Sequence, residues 1–136
     1  MKRIISLIVC LVIIASVGCI TVSAAGAGVT PRYNNLEYTQ ATFNIDSNGN
    51  ANIVVGYSGY QGITTGARIT ILLEKRNLLV FWKDIQEWVI TSDQYRATFL
   101  RSSTVSSGTY RVTVRFEISG TGGATDVYET EIKDSY

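Results

Sequence analysis

Histidine is absent from the 136-residue sequence, and both of its cysteines, Cys10 and Cys19, lie near the start of the chain. Without imidazole or thiol beyond residue 19, the rest of the chain can build neither a Ser-His-Asp triad, nor a Cys nucleophile, nor a zinc site with His ligands. It also lacks a cysteine pair for a disulfide, so its stability must come from packing. We therefore predict that the protein is not an enzyme and needs no cofactor or metal.

The first residues have the pattern of a secretory signal peptide. A basic pair at positions 2 and 3 precedes the uncharged run Ile4–Val22, which ends at the small residues Ser23, Ala24 and Ala25. This pattern predicts a signal peptide over residues 1–24, cut after Ala24 or Ala25. The product would be secreted into the extracellular space.

Two alternatives remain for this segment. The 19 residues of Ile4–Val22 are just long enough to span a bilayer as an uncleaved anchor. Gly18-Cys19 has the small residue before Cys that a bacterial lipoprotein signal favours, although Leu is missing three residues ahead of the Cys. Retention at the cell surface would require one of these two routes, because the C-terminal residues do not resemble a cell-wall sorting signal.

The exported part is near-neutral and has the size of one domain. Cleavage removes Lys2 and Arg3, which takes Lys+Arg from 12 to 10 against 11 Asp+Glu, a net charge of −1. That charge predicts neither nucleic-acid binding nor attraction to a membrane once the signal is cut. Residues 25–35, with the only proline, predict a flexible lead-in, and residues 36–136 predict a single β domain.

Alternation of apolar and polar residues dominates the sequence after residue 35. Its period of two is typical of β-strands with one buried face, and no run there has the 3.6-residue period of a helix. Seven such runs are separated by turn residues. They predict an all-β fold: a seven-stranded antiparallel β-sandwich of immunoglobulin-like topology. The most apolar hairpin, Ala67–Trp88, is expected at its centre, and the glycine-rich stretch Gly56–Gly66 is expected to link the two sheets.

Two local patterns specify the topology further. Tyr110 follows a Ser-Ser-Gly-Thr turn, and in immunoglobulin-like domains a Tyr at the start of the sixth strand hydrogen-bonds to the backbone just upstream. The last hairpin predicts a register that keeps its apolar side chains opposite each other: Val112 with Ile132, Val114 with Thr130 and Phe116 with Tyr128. That register also sets Arg115 opposite Glu129 as a cross-strand ion pair.

Aromatic side chains are the most plausible binding groups. Tyr57 and Tyr60 lie in the glycine-rich stretch, while Trp82 and Trp88 lie six residues apart on one strand. An even spacing puts both tryptophans on one face of a regular strand, so either a bulge turns one of them into the core or one faces solvent. Exposed aromatics would form a surface for stacking sugar rings or for contacting a partner protein.

Three further patterns are weaker. Asp46, Asn48 and Asn50 match the first ligand positions of a calcium loop, but the rest of that motif is missing and a hairpin turn explains them without an ion. Gly120–Gly123 resembles a phosphate-binding loop but is followed by no helix, so a hairpin loop is expected. A carboxylate pair drawn from Glu74, Asp84 and Glu87 is formally catalytic, although outward carboxylates usually belong to a solvated face.

The sequence also resembles a known family. Gly56-Tyr57-Ser58-Gly59, the runs Ile69–Lys75 and Trp82–Trp88, and Gly108–Val112 are similar to a functionally uncharacterised family of small secreted β-sandwich proteins from Gram-positive bacteria. The likeness covers about residues 40–118 and rests on the spacing of Trp, Tyr and Gly. It implies an exported β-sandwich and supplies no activity.

Together these features predict a secreted, disulfide-free binding or interaction module at the exterior of a Gram-positive bacterium. Its partner would be an envelope polysaccharide or protein. The alternative is a secreted antagonistic protein, similar in role to a toxin or bacteriocin.

Overall fold

The computed structural model describes residues 32–78 and 80–136. The predictions about the signal peptide, its cleavage site and Cys19 lie outside these residues. Seven strands follow one another along the described chain: β1 (Leu36–Ile45), β2 (Asn50–Gly59), β3 (Thr64–Asn77), β4 (Phe81–Ser92), β5 (Arg96–Thr104), β6 (Thr109–Gly120) and β7 (Asp126–Ser135).

The strands form two antiparallel sheets packed as a β-sandwich, which confirms the predicted fold class. One sheet has three strands in the order β1-β2-β5, and the other has four in the order β4-β3-β6-β7. Constant-type immunoglobulin domains place the fourth strand in the first sheet, whereas here β4 pairs with β3. The connections from β2 to β3, from β4 to β5 and from β5 to β6 therefore carry the chain between the sheets.

A single hydrophobic core fills the space between the sheets. The predicted alternation is present on β3 and β6, where every second side chain is buried. The buried apolar residues of the three-stranded sheet are Leu36, Phe43, Ala51, Ile53, Val55 and Tyr57, and those of the four-stranded sheet are Ala67, Ile69, Ile71, Leu73, Ile90, Tyr110, Val112, Val114, Phe116 and Ile118. All seven strands, this whole core and Tyr33, which packs against it, lie within the compact unit Arg32–Tyr136, so that segment carries the contacts its own folding requires.

The first turn is built by one carboxylate. Asp46 accepts hydrogen bonds from the backbone N–H of Asn48 (2.8 Å) and of Asn50 (2.9 Å), and its second oxygen accepts one from the Asn50 amide (2.9 Å). Gly49 supplies the positive φ of 78° that the turn needs. These bonds, led by the Asn50 amide, lower the pKa of Asp46. The residues that match a calcium loop thus satisfy one another as a hairpin turn.

The glycine-rich link is shorter than predicted. Strand β2 continues through Gly59 and β3 begins at Thr64, so only residues 60–63 connect the two sheets. Gly59 is required there because a Cβ on it would lie 2.1 Å from Thr64 Oγ1. The glycines therefore allow close packing inside strands, where the sequence suggested an irregular loop.

The expectation that the whole hairpin Ala67–Trp88 is central is wrong for its second strand. Strand β3 lies between β4 and β6, but β4 is an edge strand. Its register also shifts: Leu73 pairs with Gln86 and Glu74 pairs with Asp84, which leaves Ile85 as an extra residue, a β-bulge. Because directly paired residues share a face, the bulge places Trp88 on the inner face opposite Ile71 and Trp82 on the outer face opposite Arg76.

The two predictions about the C-terminal strands are confirmed. The buried Tyr110 donates a hydrogen bond from its hydroxyl to the carbonyl of Ser106 at 2.7 Å, the tyrosine corner of immunoglobulin-like folds. The β6–β7 register pairs Val112 with Ile132, Val114 with Thr130 and Phe116 with Tyr128. Arg115 and Glu129 are directly opposite, with 3.8 Å between Nη1 and Oε2.

Candidate functional site

Tyr57 is buried and does not reach a ligand-accessible surface. Only 3% of the residue is exposed, and its hydroxyl donates a 2.7 Å hydrogen bond to the carbonyl of Gln94. Burial raises the pKa of this phenol, which stays protonated as the donor. Tyr57 therefore ties the β4–β5 connection to the core, and its role as a binding residue is not supported.

Trp88 also serves packing. It is half-buried on the inner face of β4 and packs against the hydrophobic core. The bulge at Ile85 produces this orientation, which is one of the two arrangements that the six-residue spacing left open.

Trp82 belongs to a charged cluster on the outer face of the four-stranded sheet. The Arg111 guanidinium lies 4.5 Å from the centroid of its ring, and Lys133 Nζ lies 5.7 Å from it. Arg111 also binds the buried carboxylate of Glu74 through two nitrogens, at 2.5 and 2.8 Å. These hydrogen bonds raise the pKa of Arg111. Two cations are therefore already in contact with the Trp82 ring. This cation–π arrangement leaves the ring less available for stacking against a ligand.

The same cluster contains one of the three carboxylates that the sequence left as formal catalysts, Glu74. Glu74 is fixed by Arg111, and Glu131 lies between Arg111 (3.2 Å) and Lys133 (2.8 Å). The hydrogen bond from Lys133 is the main cause of the lowered pKa of Glu131. Glu74 and Asp84 are directly paired across β3 and β4, whereas Glu87 pairs with Leu72. Among the described residues, no group of three or more Asp, Glu or Cys side chains is placed to hold a metal ion.

Tyr60 is the one predicted aromatic that remains open to solvent, with 40% of the residue exposed. It lies in the link before β3, whereas Trp82 pairs near the far end of that strand. Twelve residues of β3 separate the two positions, or roughly 40 Å of extended chain. The four predicted binding residues are therefore not brought together into one site.

A different surface lies where the edge strands β1 and β7 face each other. Two carboxylates of β7 tie the sheets together there. Asp126 accepts hydrogen bonds from the backbone N–H groups of Asn34, Asn35 and Leu36, and Asp134 accepts one from Ile45 at 2.7 Å. Because Leu36 and Ile45 are the first and last residues of β1, the seam between the sheets is fastened at both ends.

A groove of about 490 Å³ opens between these two ties. We call it the seam groove; it is lined by Tyr38, Thr39, Gln40, Ala41, Tyr128, Thr130 and Ile132. Tyr38 is 58% exposed, and Tyr128 is half-buried with its ring packed edge-on to Tyr33 at 6.5 Å. The lining contains aromatic rings, hydroxyls and one amide, and none of its seven residues is charged.

A second surface is the end of the β3–β4 hairpin. Leu78, Val80 and Phe81 are the most exposed large apolar residues of the described chain, at 78%, 72% and 64%. We call these three residues the hairpin tip. They are flanked by Lys75, Arg76 and Lys83 in the sequence.

Sequence reasoning missed both surfaces. Tyr38 and Tyr128 are 90 residues apart, and alternation within each strand carries no information on which edge strands face each other. The hairpin tip did carry a signal, since the run of four consecutive apolar residues Leu78–Phe81 lies between two predicted strands, where Gly, Asn, Asp and Ser are the usual residues.

Comparison with known proteins identifies no relative: no family model matches the chain, and no curated protein or solved structure matches it significantly. The class of protein is therefore given by the fold itself, a seven-stranded antiparallel β-sandwich. In the part of the chain that the structure describes, no helix has the length and apolar character needed to cross a membrane.

Proposed function

We propose that this chain is an exported, non-enzymatic binding module that recognises a neutral polysaccharide of the bacterial envelope in the seam groove. The observation that carries the proposal is the placement of Tyr38 and Tyr128 on a groove whose other lining residues are small, polar or apolar. Export itself follows from the signal-peptide pattern of the first 24 residues.

The lining has the chemistry that a sugar chain requires. A pyranose ring has apolar C–H faces that pack against aromatic rings, and its hydroxyls need hydrogen-bond partners along the edges. The Tyr rings supply the flat apolar surface, and Thr39, Gln40 and Thr130 supply donors and acceptors. The uncharged lining favours a neutral polymer over an anionic one, because no cation of the groove would offset the desolvation of a phosphate or carboxylate.

The test is a calorimetric titration of residues 26–136 with soluble, neutral polysaccharide fragments from a Gram-positive envelope. We expect Tyr38→Ala to weaken binding by roughly tenfold, because the ring contributes exposed stacking area. Tyr60→Ala is the matched control: it removes another exposed tyrosine, one that does not line the groove, and should leave the affinity unchanged.

Three results would refute the proposal. One is the absence of measurable binding to any neutral fragment, and another is an equal loss in Tyr38→Ala and Tyr60→Ala. The third is binding of an extended peptide that tolerates Tyr38→Ala, which would mean that the edge of β1 or β7 pairs with a strand through its backbone. Release of shortened glycan in the same samples would overturn the non-enzymatic part.

The antagonistic role remains the runner-up. No contact among residues 32–78 and 80–136 favours it over binding. Growth inhibition of neighbouring strains by the purified exported segment is the measurement that would.

A further inference from the structure

The hairpin tip projects beyond the rest of its sheet. Strand β3 pairs with β6 only as far as Lys75, opposite Tyr110, whereas Arg76 and Asn77 pair with β4 alone. Two paired residues and a turn therefore extend past the neighbouring strand. At about 3.3 Å per residue, this projection is roughly 7–10 Å.

Folding does not account for the composition of this projection. Leu78 has a positive φ of 52°, a conformation that costs a side chain such as Leu energy and that Gly or Asn adopts more easily. The hairpin tip thus combines backbone strain with three apolar residues that are 64–78% exposed. Both features disfavour the free protein, and such outliers point to a surface selected for contact with something else.

Charge around the tip indicates what that contact is. Lys75 and Arg76 precede the tip and Lys83 follows it, and there is no Asp or Glu from Lys75 to Lys83. Lys75 Nζ donates a 2.7 Å hydrogen bond to Ser106 Oγ in the β5–β6 connection and lies 5.5 Å from the centroid of the Tyr110 ring. Trp82 follows Phe81 directly. This order of side chains matches the layers of a bilayer: the three apolar residues of the tip correspond to the acyl chains, Trp82 to the interface, and the three cations to the anionic headgroups.

We infer that the hairpin tip inserts into the outer surface of an anionic lipid bilayer. Leu78, Val80 and Phe81 enter the boundary between headgroups and acyl chains, which lies roughly 5–10 Å deep and matches the length of the projection. Lys75, Arg76 and Lys83 stay at the level of the lipid phosphates. This inference does not depend on the seam groove.

The local charge differs from the charge of the whole chain. A net charge near zero predicts no attraction to a membrane, but it averages residues 75–83, which include three cations and no carboxylate, with acidic residues elsewhere in the chain, including Glu74 and Asp84 on the same hairpin. Insertion of three side chains is weak and reversible, so the cations are needed to hold the domain at the surface.

The experiment measures binding of residues 26–136 to vesicles of phosphatidylglycerol and phosphatidylcholine in equal parts, by flotation. Omitting the first 25 residues removes the apolar N-terminal run, which would bind lipid by itself. We expect the triple variant Leu78→Ser, Val80→Ser, Phe81→Ser to lose at least roughly tenfold in partitioning. The control is Leu100→Ser, which removes a side chain of similar exposure, 61%, from the other sheet and should bind as the parent does.

Charge is tested separately. Lys83→Gln should weaken binding about fivefold and reduce its salt dependence, as expected for one cation near an anionic surface. Arg96→Gln, at the other end of the sandwich, should change neither. In a Trp88→Phe variant the remaining Trp82 should shift its emission to shorter wavelength on vesicles and be quenched by brominated lipids.

Three outcomes would overturn the inference: equal binding to vesicles of phosphatidylcholine alone, unchanged partitioning of the triple variant, or no quenching of Trp82. Self-association in solution that the triple variant abolishes, without vesicle binding, would assign the tip to a second copy of the chain. Glycan binding is measured in the same preparations, so failure here leaves the seam groove independently testable.

Discussion

Single polar side chains fix the connections of this sandwich. Asp46 builds the first turn, Asp126 and Asp134 fasten β1 to β7, and the Tyr110 hydroxyl closes the turn before β6. Each of these groups accepts or donates hydrogen bonds that the backbone of a turn or edge strand would otherwise leave to water. A chain without disulfides in its β domain thus uses side-chain hydrogen bonds where small secreted domains often use covalent links.

At the scale of single residues, the lowered pKa of Asp46 predicts how the stability of the fold changes in acid. Its folded pKa lies below the ordinary value of 3.8, so its ionised form is favoured by folding. That contribution is fully present above about pH 4 and is lost as the pH falls through the lower, folded value. We expect the urea midpoint of the parent to fall between pH 5 and 2 more steeply than that of Asp46→Asn, whose amide does not titrate.

The control for this comparison is Asp93→Asn, which changes an exposed carboxylate near another turn. The urea midpoint of Asp93→Asn should change with pH as that of the parent does. Parallel curves for Asp46→Asn and the parent would show that folding does not lower the pKa of Asp46.

At the scale of elements, alternation predicted the strands well and their positions poorly. The period of two located β1 to its first and last residue, and it predicted the register of β6 against β7, because one face of each strand is buried and a slip would expose it. It could not show that β4 is an edge. Trp88 and Ile90 make β4 look like a core strand, but this sheet ends there and the outward side chains of β4 meet water.

The candidate sites were less predictable for the same reason. Trp82 and Trp88 occupy different faces because of one extra residue, Ile85, which no alternation count detects. The seam groove exists because β1 and β7 are the last strands on the same side of two sheets. Both facts belong to sheet order and register, which arise from contacts distant in sequence.

The bulge makes its own prediction. Deleting Ile85 removes the extra residue, so on one side of the deletion the inward and outward side chains of β4 must exchange faces. Trp88 and Ile90 hold the second half in the core, and we expect Trp82 to leave the outer face and lose its contact with Arg111. The cost should be roughly 1–3 kcal/mol in the free energy of unfolding, as for the loss of a partly buried aromatic contact.

The matched control keeps the bulge and changes only its side chain. Ile85→Ala should cost less than about 1 kcal/mol, because the residue is 41% exposed. Chemical denaturation gives both values, and Trp emission reports the position of Trp82. Equal stability and equal emission in the two variants would show that the bulge does not determine the orientation of Trp82.

At the scale of the whole molecule, hydrogen bonds between the segment before β1 and the β6–β7 loop join the two sheets. The compact unit begins at Arg32, so the last four residues of the predicted lead-in belong to it. Asn35 is fully buried: its amide donates to the carbonyl of Ala124 at 2.8 Å and accepts from the N–H of Gly122 at 3.1 Å. The segment before β1 is thereby attached to the β6–β7 loop, and the first and last strands are joined across the two sheets.

This closure predicts that Asp126 is among the most important polar residues for stability. Asp126 is only 7% exposed, and its carboxylate accepts from three backbone N–H groups, those of Asn34, Asn35 and Leu36. In Asp126→Asn the amide nitrogen must face at least one of these donors, so at least one N–H loses its partner, and the remaining bonds lose the charge of the carboxylate. We expect a loss of roughly 2–4 kcal/mol in the free energy of unfolding.

Asp134→Asn is the comparison at the other end of the seam. Asp134 accepts from the backbone N–H groups of Ile45 and Ser135; the asparagine oxygen can still accept from Ile45, and the Ser135 bond that would be lost is exposed to water. This substitution should cost about 1 kcal/mol or less. Amide exchange separates local from global effects: in Asp126→Asn the N–H groups of Asn35 and Leu36 should lose protection before those of β3 and β6 do. If both variants were as stable as the parent, the seam would be held by apolar packing between the sheets, and its carboxylates would only shape the groove between them.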